Sequence, residues 1–147
     1  MSLLSPADQD RLRESFDEMT SPVRVLFFTQ ALASEPCVQT RQILDELPAL
    51  SDKIAIEEVN FVLEPEKAAQ FGIDRVPAVA LLNTDAAGGT HDTRIRFLGT
   101  PGGYEFVSLV QAVLLAGGHD SQLTPENRAR VEAVTTPTVI QVFSTPT

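Results

Sequence analysis

The 147-residue chain has the size of one domain, or of one domain with an appendage, and its 43% apolar content fits a globular fold. A formal charge of −9, with 11 basic residues scattered singly, argues against nucleic acid and anionic membrane surfaces as partners. One cysteine excludes an internal disulfide, no apolar run approaches the ~20 residues that span a bilayer, and no signal peptide is visible, so a reducing, cytoplasmic compartment is expected.

Ser5-Pro6 reads as an N-cap followed by proline in the first turn, and Leu12, Phe16 and Met19 follow at helical spacing. An amphipathic helix is predicted over 6–19, ended by Thr20-Ser21-Pro22. The nearly all-apolar run 23–29 predicts a strand at the centre of its sheet. Residues 30–33 connect it to a helix over 35–47, which stops near Pro48. Residues 54–60 form a second predicted strand, Pro65 opens a short helix that ends at Gly72, and 78–82 form a third strand. The turn 85–89 then leads to an antiparallel fourth strand over 93–98. After the loop 99–103 comes an apolar helix over 104–116, closed by Gly117-Gly118. The order predicts an α/β fold, a central mixed four-stranded sheet with helices on both faces.

The tail repeats the start. Ser5-Pro6, a helix, Thr20-Ser21-Pro22-Val23 and a strand recur as Thr124-Pro125, a helix over 126–134, Thr135-Thr136-Pro137-Thr138 and a strand over 139–143, at an offset of roughly 115–120 residues. Two unrelated helix-strand units sharing common caps would also give this pattern. The better account divides the chain into a domain over 1–118 and a stretch over 119–147 that holds a linker helix and the first strand of a truncated second module. Such a strand has lost its own sheet. It is expected to fray, lie on the flank, or pair with another copy to give a homodimer.

The chemistry centres on Ser34-Glu35-Pro36-Cys37, placed after the apolar strand and at a helix start. The stretch from Val25 to Leu47 resembles the active-site strand and helix of thioredoxins without a gap, with Ser-Glu-Pro-Cys over Cys-Gly-Pro-Cys. Phe71-Gly72-Ile73-Asp74-Arg75-Val76-Pro77-Ala78 resembles the segment that carries the thioredoxin cis-proline, and the resemblance implies a cis Val76–Pro77 bond. Leu50-Ser51-Asp52-Lys53 and the run from Arg96 to Phe106 are similar to two families of tandem thioredoxin folds. One is the glutaredoxin-like protein disulfide oxidoreductases. The other is the N-terminal domain of the alkyl hydroperoxide reductase flavoprotein subunit, to which Ser108-Leu109-Val110 through His119 is closer.

The resemblance implies a disulfide oxidoreductase system, yet the first motif position holds serine. Thiol–disulfide exchange needs a thiolate at a helix N-terminus and a second thiol to resolve the mixed disulfide. Ser34 cannot supply the first, and its structural role is an N-cap, with Glu35 complementing the helix dipole. Cys37 takes the resolving position. Cys37, Thr40, Leu44 and Leu47 share one helical face, so the sulfur is expected to point toward the core. A monothiol reductase or mixed-disulfide acceptor using Cys37 is the enzymatic alternative, and a stand-alone protein-binding module is a third. The substrate groove implied by the resemblance comprises Pro36, Pro77 with the Val76 backbone before it, Ser34 and the loop 99–103. Phe28 stands where thioredoxins often bury an acid, and Ala33 where they carry tryptophan. Neither a cofactor nor a metal is expected: His91 and His119 are isolated, and no glycine pair is followed by the Lys-Ser/Thr of a phosphate loop. The expected partner is a second thioredoxin-like module or another thiol or disulfide protein.

Overall fold

The computed structural model describes residues 2–30, 32 and 34–145. Five helices and four strands follow in chain order among them: α1 (Pro6–Asp17), β1 (Val23–Thr29), α2 (Glu35–Asp45), β2 (Ile54–Asn60), α3 (Pro65–Gln70), β3 (Ala78–Thr84), β4 (Thr90–Leu98), α4 (Glu105–Ala116) and α5 (Pro125–Glu132). The sheet order is β2-β1-β3-β4. β1 runs parallel to β2 and antiparallel to β3, and β3 runs antiparallel to β4.

β1 lies between two strands because both of its faces are apolar. Every residue of it except Arg24 is buried. Val23, Val25 and Phe27 point to one face, where they meet Phe16 before β1, Leu44 of α2 and Leu109 and Val113 of α4. Leu26 and Phe28 point to the other, where they meet Val59, Ala68 of α3 and Ile73. The period-2 alternation of a strand thus divides one apolar run between two cores. The N-cap at Ser5 forms as its sequence predicts, its hydroxyl accepting from the Asp8 N–H at 3.2 Å.

β4 begins three residues earlier than its pattern suggests. The register with β3 shifts between Ala80 and Leu82, and Arg94 adopts φ +65°. Side chains replace the disrupted ladder there. The Thr93 hydroxyl donates to the Leu81 carbonyl at 2.7 Å and accepts from the Ile95 N–H at 3.2 Å. Asp92 accepts from the Arg94 N–H and pairs with Arg96, whose guanidinium hydrogen-bonds the carboxyl and holds it below the ordinary carboxylate range.

The predicted C-terminal strand forms no ladder among the described residues. Residues 139–143 carry no strand pairing, and Val139, Ile140, Val142 and Phe143 are all exposed. A run apolar on both faces needs neighbours on both sides and covering layers. Among the described residues it has neither, and α5 before it buries no residue. Among the described residues no helix is long and apolar enough to cross a membrane.

Candidate functional site

α2 starts at the end of the sheet where β1 stops. Ser34 is its N-cap by position, in extended conformation, and its carbonyl accepts from the N–H groups of Cys37 at 2.9 Å and Val38 at 3.2 Å. The capping expected of its hydroxyl does not occur, since the side chain takes no helix N–H. Pro36 sits in the first turn and costs nothing there, because the N–H it lacks would have had no partner within the helix.

Cys37 faces inward, with only 4% of its surface exposed and its thiol free. Thr40, Leu44 and Leu47 continue the buried line. The predicted helical face is therefore the one that packs, and the sulfur lies under the helix rather than at its tip. A thiol in apolar surroundings is a poor nucleophile.

Val76–Pro77 is a cis peptide bond. Pro77 and Pro36 line one open cavity of about 770 Å³, together with Gln39, Ile43, Leu98 and Thr100. Ser34, Cys37 and Val76 do not belong to its wall. Val76 instead packs against the core that contains Phe28. Of the expected groove, Pro36, Pro77 and the loop residues Gly99, Thr100, Gly102 and Gly103 share one wall, and Ser34 and Val76 stand outside it.

A tie between α2 and the loop 99–103 is invisible to sequence spacing. The Thr40 hydroxyl lies 2.8 Å from the Pro36 carbonyl oxygen and 3.1 Å from the Thr100 hydroxyl, which is itself 3.1 Å from the same carbonyl. Each hydroxyl has one proton, so this triangle carries two hydrogen bonds at any instant. The Gly99 N–H donates to the Pro77 carbonyl at 2.9 Å, from a backbone at φ +106° that favours glycine. The floor of the cavity is thereby fixed at both prolines. Thr40→Val keeps the volume and removes one hydroxyl. We expect it to cost about 0.5–1.5 kcal/mol in urea unfolding, and to speed amide exchange in the loop 99–103.

Phe28 is fully buried, and its ring stands 6.1 Å from that of Phe71. Arg96 lies over the outer ring, 5.7 Å from its centroid, and donates to the Phe71 carbonyl. This part of the interior is filled by packed aromatic side chains. Ala33 lies outside the described residues. Among the described residues no group of three or more His, Cys, Asp or Glu could hold a metal ion.

A sheet of this order with a cis-proline beside a helix-start motif defines the class. The chain has a thioredoxin-like fold, with serine at the first motif position. Within that class it resembles the N-terminal domain of the alkyl hydroperoxide reductase component AhpF. It is 30% identical over 112 residues to AhpF of Escherichia coli K12, covering 76% of this chain and 18% of the relative. It superposes with TM-score 0.77 and 31% identity on the crystallised NTD_N/C domain of AhpF from Enterococcus faecalis, covering 87% of this chain and 59% of that one. A protein disulfide oxidoreductase from Aeropyrum pernix, at 24% identity and TM-score 0.71, shares the fold, with 88% of this chain and 54% of that one covered. No family model matches the chain. It spans less than a fifth of the curated relatives it matches.

Proposed function

We propose that this chain is a redox-inactive thioredoxin-fold docking module of a disulfide-reducing system of the alkyl hydroperoxide reductase kind. One observation carries this: the attacking position holds Ser34, while the only sulfur of the motif, Cys37, is buried beneath α2. A hydroxyl does not exchange with disulfides, and a buried resolving thiol has nothing to resolve. The fold around the site is nonetheless kept, with cis-Pro77 and Pro36 lining an open groove. A retained groove without its nucleophile suits binding rather than turnover.

On this proposal residues 1–118 are the docking domain and 119–147 lead into a second thioredoxin-like unit, to which the exposed apolar run 139–143 would contribute a strand. A second copy of the chain is the other source of cover for that run. A reducing compartment such as the cytoplasm suits the lone thiol.

The unmodified chain is expected to leave dithiothreitol-driven insulin reduction at its background rate, and Cys37 is expected to resist alkylation near pH 7 until the protein is unfolded in urea. Turnover above background, or fast alkylation of the native protein, would favour the monothiol activity and overturn the proposal.

A further inference from the structure

Beside the Pro77 groove opens a second cavity of about 290 Å³, walled by Leu3, Leu4, Ile43, Glu46 and Phe106. The two share Leu3, Ile43, Gly102 and Gly103, so they form one continuous depression. Its outer wall is held in place. The Glu46 carboxylate accepts from the Leu3 N–H at 2.8 Å and from the Ser2 hydroxyl at 2.5 Å, which fixes the segment ahead of α1 against α2. Leu3 remains 62% exposed at the rim.

The charge of this depression has one sign. Glu46 and Glu105 are the charged residues of its lining, and no lysine, arginine or histidine joins them. Neither carboxylate takes part in an ion pair among the described residues. A pocket this size with aliphatic and aromatic walls holds one large apolar side chain, the kind that anchors interfaces. A carboxylate beside such an anchor favours a cation on the partner. The chain's own tail leaves the side cavity unfilled and brings no cation to it. Ser144 stands at the groove, but residues 135–145 contain no lysine or arginine, and Phe143 is 91% exposed.

We infer that this side cavity is a specificity pocket. It takes one aromatic or large aliphatic side chain from an extended partner segment lying in the Pro77 groove, with lysine or arginine next to that side chain facing Glu46 and Glu105. The inference rests on the docking role proposed above and adds the chemistry of the partner.

The test is a methyl and amide NMR titration of the full chain with the peptide acetyl-Lys-Ala-Phe-Ala-Lys-amide. Two control peptides replace phenylalanine by alanine, or both lysines by glutamate. The first peptide should shift the Leu3, Leu4 and Ile43 methyls, and each control should bind at least about tenfold more weakly. Binding should weaken as salt rises from about 50 to 500 mM. Glu105→Gln, which leaves the Leu3 wall untouched, should lower the preference for lysine over glutamate several-fold. No shift at these methyls, shifts confined elsewhere, or equal binding of the acidic peptide would overturn the inference. The insulin assay of the unmodified chain reads the docking proposal separately, because none of these results depends on thiol chemistry.

Discussion

Ser34→Cys is expected to give this sequence, which has one cysteine, a dithiol activity. The substitution places a sulfur at the N-cap of α2, three residues ahead of Cys37. Helix N-termini lower a cysteine's pKa from about 8.5 into the range of roughly 3.5–7.5. The 2.9 Å hydrogen bond from the Cys37 N–H to the Ser34 carbonyl shows how close the two residues lie. Burial of Cys37 does not prevent its use, because the resolving thiol attacks a disulfide already attached to its own helix. Glu35 in the first turn opposes a neighbouring thiolate, and Phe28 offers no proton relay, so activity should be partial. We expect insulin reduction clearly above background, together with a loss of two hydrogens by mass on mild oxidation. Failure to form that disulfide in the folded variant would mean that α2 no longer presents its first turn as a thioredoxin does. The observed geometry of Ser34 would then not describe a latent active site.

Much of this was legible because periodicity carries it. The run 23–29 is apolar on both faces, and such a strand has to be central; β1 is flanked by β2 and β3. The face shared by Cys37, Thr40, Leu44 and Leu47 follows from 3.6 residues per turn, and those four residues are buried. What stayed hidden depends on partners distant in sequence. Thr40 reads as a polar residue on an apolar face until Thr100, sixty positions away, closes its hydrogen-bond triangle. Residues 90–92 do not continue the strand pattern of 93–98, because the register shift in β4 is held by hydroxyl and carboxylate side chains rather than by alternation. Ser34 shows the limit of a residue-type rule: serine at a helix start predicts a hydroxyl cap, yet here only the carbonyl serves. The run 139–143 has strand-forming residues, but strand propensity becomes structure only where another backbone accepts the hydrogen bonds.

Phe28 offers the sharpest test of what fills the interior beneath the candidate site. Phe28→Ala is expected to destabilise the fold by about 3–5 kcal/mol, the range for removing a fully buried aromatic side chain. Part of that loss, about 0.5–1.5 kcal/mol, belongs to the tilted pair with Phe71. Against the roughly 5–15 kcal/mol that holds a domain together, this is a large fraction. Urea unfolding should show the midpoint fall with an unchanged slope. Phe28→Asp separates packing from charge. A carboxylate among Leu26, Val59, Ala68 and Ile73 would be desolvated, which raises its folded pKa above the unfolded value. The folded state then binds the extra proton, so this variant should lose stability as pH rises above about 4, the unfolded aspartate value, while Phe28→Ala should show no such added slope. An aspartate variant as stable at pH 8 as at pH 5 would mean that water or a cation already reaches this position. The interior around Phe28 would then tolerate a charge, and the aromatic packing seen there would not make it a dry core.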